Sequence, residues 1–292
     1  MVWDEVLLAP AKVNLHLAVG RRRCDGYHDI TSLFCRVSLS DELRFSCQRQ
    51  EEPCVVVSGL GGICPQATDT MTKAACAWMK ESGIPLAVQV DCTKHIPTKA
   101  GLGGGSSDAA SVLLALERRY PIGKDRLLSV AASVGSDVPF FLSETGCAYV
   151  SGRGERVRPL PARGLYGTLV MPEGIFFATQ DAYRALDGIV RPPAPSENAV
   201  IKAFLAGTAA YRGVFRNDFL LVAERYPVYG ELSRLSNDFN GYGSLSGSGA
   251  CWFFVSEERT EALRFQMSVR NHLSCGWTCM AEVVGDQGGT FC

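Results

Sequence analysis

Residues 97–110 read Pro-Thr-Lys-Ala-Gly-Leu-Gly-Gly-Gly-Ser-Ser-Asp-Ala-Ala, and no other stretch constrains the chain as much. Gly101, Gly103, Gly104 and Gly105 fall within five positions, so the backbone can turn tightly and bring its N–H groups close to a ligand. Ala109, Val112, Leu113 and Leu116 then recur at helical spacing, and Pro121 stops the run. The spacing predicts a glycine loop that feeds a helix N-terminus. Such an end carries free N–H groups and partial positive charge, and it binds phosphate. No lysine follows the glycines, which excludes a Walker A loop. The third glycine of the dinucleotide fingerprint and its acidic partner are also missing. For the loop taken alone, a flexible Gly/Ser turn stays open as the alternative.

The 292 residues suffice for one large domain or two of ordinary size, and 47% hydrophobic with 20% charged residues is globular composition. A formal net charge of -1 speaks against a nucleic-acid or membrane-surface protein. The first residues, Met1-Val2-Trp3-Asp4-Glu5, carry no basic segment followed by an apolar stretch, so no export signal is expected. No apolar run nears the roughly 18 residues a membrane helix needs. Twelve cysteines are scattered, with Cys275 and Cys279 the closest pair and no zinc spacing. They read as mostly buried free thiols of a cytoplasmic protein.

Alternation of Val13, Leu15, Leu17 and Val19 with Asn14, His16 and Ala18 predicts a strand over 6–20. Asp25-Gly26 marks a turn. Strands are expected over 29–39, near 55–58, around Val88 and Val90, over 168–171 and over 251–255. Helices are expected over 70–81, 179–187, 199–206, 218–226 and 257–266. Gly152-Arg153-Gly154 reads as a link between two parts of the chain. The second half reads as α+β with a small sheet.

Four further segments carry candidate chemistry. Lys12 and Asn14 share one strand face and suit an anionic or hydroxylated ligand, the alternative being a solvated polar face. Tyr27 beside His28 offers a stacking ring and two ring nitrogens, which suit a nucleobase; an ordinary aromatic strand start is the alternative. Asp137, in Gly135-Ser136-Asp137-Val138-Pro139, is either a helix cap or an exposed base for phosphoryl transfer. Ser244–Cys251 is a second glycine/serine turn, small enough for close backbone approach to a ligand or another loop.

Taken in order, these segments resemble the GHMP kinase superfamily, from about residue 5 to 285. Pro97–Ala110 is similar to its central ATP-binding motif and Ser246–Ala250 to its third motif. Ala9–Leu15, Asp25–His28, Gly101–Ala110, Gly135–Phe141 and Asn217-Asp218 are most similar to the branch acting on 4-diphosphocytidyl-2-C-methyl-D-erythritol. The resemblance implies an α+β GHMP kinase fold. Residues 1–155 would form an N-terminal domain like domain 2 of ribosomal protein S5, and 156–292 a ferredoxin-like C-terminal domain, with the active site in the cleft between them. The implied reaction moves the ATP γ-phosphoryl group to the substrate's C2 hydroxyl, with Mg2+ accompanying ATP and no side chain assigned to the metal. Asp137 would be the base and Lys12 would stabilise charge on the oxygen and the phosphoryl group. Pro97, Gly101, Leu102, Gly103, Gly104, Gly105, Ser106 and Ser107 would cradle ATP. Asn14 would position the substrate, while Tyr27 and Tyr183 would take the two faces of the cytosine and His28 its edge. No nucleic-acid or membrane partner is implied, and the protein would be a monomer or weak homodimer. Asp69-Thr70-Met71 departs from the Asp-Asn-Leu that family members often carry there, and the tail after Gly285 matches no family feature. Two alternatives stay open: another small-molecule kinase of the superfamily, acting on mevalonate, homoserine or a sugar, and a non-catalytic S5-like RNA-binding module.

Overall fold

A computed structural model describes residues 3–61, 69–143 and 145–285. Cys64, Cys292 and the end of the tail therefore lie outside the described residues. The chain opens with two long antiparallel strands, β1 (Trp3–Arg22) and β2 (His28–Arg49), joined by the turn at Asp25-Gly26. Next come β3 (Cys54–Ser58), α1 (Thr70–Ser82), β4 (Leu86–Thr93), α2 (Gly104–Arg119), α3 (Lys124–Val134) and the short α4 (Val138–Leu142). A hairpin, β5 (Cys147–Gly152) and β6 (Arg156–Leu160), closes the first sheet, in which the path β3-β4-β2-β5-β6 is joined by β1 on β2.

The second sheet runs β10-β7-β9-β8, from β7 (Tyr166–Pro172), β8 (Tyr242–Leu245), β9 (Trp252–Ser256) and β10 (Cys275–Glu282). Between β7 and β8 lie α5 (Thr179–Asp187), α6 (Glu197–Ala206), α7 (Thr208–Tyr211), α8 (Leu220–Ala223) and α9 (Pro227–Asn237); α10 (Arg259–His272) precedes β10. One apolar cluster, with Phe34, Phe45, Trp78, Leu113 and Phe140, sits between the first sheet and its helices. A second runs from Val13, Leu15 and Leu17 of β1 to Leu169, Phe253 and Phe265, so β1 contributes to the packing of both halves.

Several expectations need correction. Gly152-Arg153-Gly154 is the β5–β6 hairpin turn inside one sheet, since Ser151 pairs with Arg156. The first sheet therefore runs on to Leu160, past the boundary expected at 155. The strand expected to end at Leu39 continues to Arg49, because the Asp41 side chain is satisfied within the fold: its Oδ1 accepts from the backbone N–H groups of His95 and Ile96 at 2.6 and 2.8 Å. The helix expected over 218–226 shrinks to four residues. Tyr226 is extended (φ -104°, ψ 114°) ahead of Pro227, as a residue before proline favours. Of the ten described cysteines, all free, only Cys35, Cys47, Cys92, Cys147 and Cys251 are buried; Cys24, Cys54 and Cys76 are exposed.

Candidate active site

The glycine loop leaves β4 through Pro97 and turns into α2. Gly101 and Gly103 adopt φ of 73° and 72°, a region open to glycine at little cost. A Cβ on Gly101 would lie 2.0 Å from the backbone oxygen of Ser246, so the second glycine/serine turn packs directly on the loop. Ser246 Oγ donates to the Gly101 carbonyl at 3.0 Å, and the N–H groups of Ala250 and Cys251 donate to Lys99 and Ala100. Asn217 ties down that turn, its Nδ2 donating to the carbonyls of Leu245 and Gly247. Asp218 is spent on scaffold too, with Oδ2 accepting from Val19 N at 2.7 Å and Oδ1 from Arg216 Nε at 2.8 Å. Asp69 caps α1 by accepting from Thr72 N, and Thr70 Oγ1 donates to Gly105 O at 2.6 Å, so the departure at 69–71 also holds the loop in place.

Ser106 and Ser107 N–H both bond to Gly103 O, which leaves the Gly104 and Gly105 amides as the free donors of the α2 N-terminus. Both glycines face a cavity of about 1180 Å³. That exceeds the roughly 300–1,000 Å³ of a single small-molecule site. The cavity is also lined by Lys12, Asn14, Tyr27, His28, Pro97, Gly101, Leu102, Gly103, Ser106, Asp137 and Tyr183. Of the residues expected at the site, Ser107 alone is not among them: it is buried behind the loop, and its Oγ has no hydrogen-bond partner among the described residues.

Lys12 and Asn14 are 3% and 2% exposed, which removes the solvated-face alternative. Lys12 Nζ donates to Asn14 Oδ1 at 2.5 Å and to Gly101 O at 2.9 Å, and lies 3.6 Å from Asp137 Oδ2. The Phe34 ring lies beneath it, 4.9 Å from Nζ. Burial pulls the lysine pKa below its ordinary value, and the Asp137 charge opposes that pull. Asp137 stands at the N-cap position of α4, yet its side chain makes no capping bond. Its carboxylate faces Lys12 and the cavity instead.

At the other end, His28 is 8% exposed and lies flat against Tyr183, with centroids 5.0 Å apart and planes at 23°. Tyr183 in turn meets Phe219 edge-on at 4.9 Å. Burial, and then the Asp137 charge, push the tyrosine pKa up. Tyr27 is 52% exposed, with the Arg153 guanidinium 4.8 Å above its ring. So Tyr183 stacks on His28, while Tyr27 stands at the rim beneath the Arg153 guanidinium.

A largely buried cluster beside the loop joins Asp108 of the glycine motif to two residues, Asp41 and Lys94, that carry no sequence signal. Lys94 Nζ bridges Asp41 and Asp108, the latter at 2.7 Å. Burial pushes the Asp108 carboxyl up to about 7 against the pull of Lys94, and Asp41 adds to the rise. Burial also works against the Lys94 charge, but the two carboxylates outweigh it and raise its pKa. Asp41 belongs to β2, Lys94 follows β4 and Asp108 lies in α2, so only the fold brings them together. Among the described residues no group of three or more His, Cys, Asp or Glu could hold a metal ion, and no helix is long and apolar enough to cross a membrane.

The family described as GHMP kinases N terminal domain matches residues 69–145. A 4-diphosphocytidyl-2-C-methyl-D-erythritol kinase from Thermus thermophilus is 37% identical over 271 residues, 90% of this chain and 92% of its own. One from Neisseria meningitidis serogroup C is 35% identical over 268 residues, 89% of each chain. The chain belongs to the 4-diphosphocytidyl-2-C-methyl-D-erythritol kinase family. A crystal structure of 4-(cytidine 5'-diphospho)-2C-methyl-D-erythritol kinase matches with a TM-score of 0.75 at 33% identity, covering 96% of this chain and 100% of the other. Homoserine kinase from Cytophaga hutchinsonii reaches 0.74 at 18% identity, over 98% and 96% of the two chains, and shares the fold alone. The GHMP kinase fold expected from the sequence is thus the fold of this chain.

Proposed function

We propose that the chain transfers the γ-phosphoryl group of ATP to the C2 hydroxyl of 4-diphosphocytidyl-2-C-methyl-D-erythritol. The observation that carries this reading is the layout of one cavity. Lys12, Asn14 and Asp137 meet the glycine loop at its centre, and the aromatic group Tyr27, His28 and Tyr183 lines it as well. The ATP phosphates would lie on the Gly104 and Gly105 amides at the positive end of α2. Asp137 Oδ2 takes the C2 hydroxyl proton as the new O–P bond forms, and the bond from the γ-phosphorus to ADP breaks. Lys12 faces the charge that builds on the attacking oxygen and the phosphoryl group. Such transfers have loose transition states, so positioning and charge stabilisation supply most of the rate. Asn14 fixes the Lys12 ammonium through its Oδ1.

Mg2+ neutralises phosphate charge when bound with ATP. With Asp137 engaged as the base, Ser106 on the cavity wall is the residue whose hydroxyl would meet the ion, and phosphate oxygens of ATP would supply further ligands. Tyr27 and Tyr183 hold the cytosine and His28 reads its edge, with Tyr183 turning away from His28 to do so. The two-domain division is kept, with its boundary after Leu160. The free thiols fit a reducing, cytoplasmic setting. Substrate-dependent ADP release with the cytidine substrate, mevalonate and homoserine tests the assignment. Turnover of the cytidine substrate alone is expected; turnover of either other compound at a comparable rate would overturn it.

A further inference from the structure

His28 is held by a partner outside the residues assigned so far. Its Nε2 lies 2.7 Å from Oδ1 of Asp187, the last residue of α5, whose side chain is 36% exposed at the cavity wall. A carboxylate only accepts hydrogen bonds. In the neutral imidazole the proton therefore sits on Nε2, and Nδ1 keeps its lone pair. Among the described residues no donor reaches that Nδ1. The His28 contact is also the main reason the Asp187 carboxyl titrates below its usual range.

We propose that Asp187 is a positioning residue that makes the site accept cytosine and reject uracil, by fixing which nitrogen of His28 carries the proton. The proposal rests on the cytidine reading of the cavity. The two pyrimidines differ along one edge. Cytosine offers a 4-amino donor beside an N3 acceptor, whereas uracil offers a 4-oxo acceptor beside an N3–H donor. An Nδ1 lone pair matches the cytosine amino group and meets the uracil oxygen lone pair to lone pair. Without Asp187 the imidazole can place its proton on Nδ1, and an Nδ1–H donates to the uracil oxygen. An unmatched buried polar pair changes selectivity about tenfold or more.

The test compares kcat/KM for the cytidine substrate and its uridine counterpart in the wild type, Asp187→Asn and Asp187→Ala. Asparagine keeps the size and a hydrogen bond to the ring, but its amide serves either tautomer. Both variants should lose at least tenfold of the cytidine-over-uridine preference, through KM, with kcat and the KM for ATP within about threefold of wild type. The chain has four histidines, so 15N spectra of histidine-labelled protein can assign His28 and read its tautomer directly. Protonated Nε2 in the wild type and a mixture in Asp187→Asn support the mechanism. An unchanged preference in both variants, or an Nδ1–H tautomer in the wild type, overturns it while the kinase assignment stands. A wild type that fails to turn over the cytidine substrate overturns that assignment and the proposal with it.

Discussion

Asp137→Asn separates chemistry from scaffold. The substitution keeps the shape of the side chain and removes its charge and its ability to take a proton. Capping contributes nothing to the expected change, because the Asp137 side chain makes no bond to the start of α4. Two effects remain. Loss of the base costs about 10²–10⁴ in rate, or roughly 3–5 kcal/mol of barrier. Loss of the charge 3.6 Å from Lys12 Nζ removes an attraction of on the order of 4 kcal/mol at an effective dielectric near 20, less where cavity water screens it. Burial already lowers the Lys12 pKa with Asp137 opposing, so the variant's lysine should give up its proton at a lower pH than the wild type's. Steady-state ADP release should show kcat down at least a hundredfold, with the KM for ATP within about threefold. Any residual activity should fall off at lower alkaline pH than in the wild type. A folded Asp137→Asn protein with kcat within threefold of wild type would refute the reasoning and leave the residue as part of the scaffold.

Gly101→Ala should destabilise by at least about 2 kcal/mol and weaken ATP binding, because its Cβ would meet the Ser246 carbonyl at 2.0 Å in a left-handed conformation. Gly83→Ala, at a similar φ of 71° with nothing within 4 Å, should cost only about 1 kcal/mol; equal melting shifts would refute the contrast. Asp108 has a folded pKa of about 7 against 3.8 for the free group, so the folded state holds the proton longer and wild-type stability declines as pH rises between those values. Thermal melts of Asp108→Asn should therefore gain on wild type from pH 5 to 8, by at most about 1.4 kcal/mol per pH unit, and a constant difference would count against the shift. Tyr27→Ala should raise the KM for the cytidine substrate about tenfold, the usual scale of one lost stacking contact, and leave the KM for ATP unmoved. Equal KM values for the cytidine substrate in variant and wild type would leave Tyr27 a rim residue only.

What the sequence disclosed depended on how locally each feature is encoded. The glycine loop and α2 were legible because loop, cap and helix are contiguous, and the strand face with Lys12 and Asn14 because side chains alternate. Asp137 was ambiguous for a physical reason: an acid before Val-Pro suits a cap as well as a base, and only the direction of its carboxylate, toward Lys12 125 positions earlier in the chain, separates the two. Ser107 misled because a hydroxyl next to Ser106 looks equivalent on paper, whereas helical rotation of about 100° per residue turns it behind the loop.

The Asp41–Lys94–Asp108 cluster marks where sequence reasoning stops. The strand expected over 29–39 stops short of Ser40-Asp41, short polar residues that are poor strand formers. The strand continues because the buried Asp41 carboxylate finds two backbone N–H groups and an ammonium on a segment more than fifty residues away. A local preference of a few tenths of a kcal/mol loses to those charge-assisted bonds, each worth about 1.5–3 kcal/mol. The cluster also bears on function. Lys94 and Asp108 reach the cavity wall beside Gly104, and Asp41 Oδ2 lies 3.4 Å from where a Cβ on Gly104 would stand. The loop that receives phosphate is thus braced from behind by one ammonium between two carboxylates. On the proposed reading, that bracing holds the Gly104 and Gly105 amides in place before ATP arrives, so binding does not have to order them.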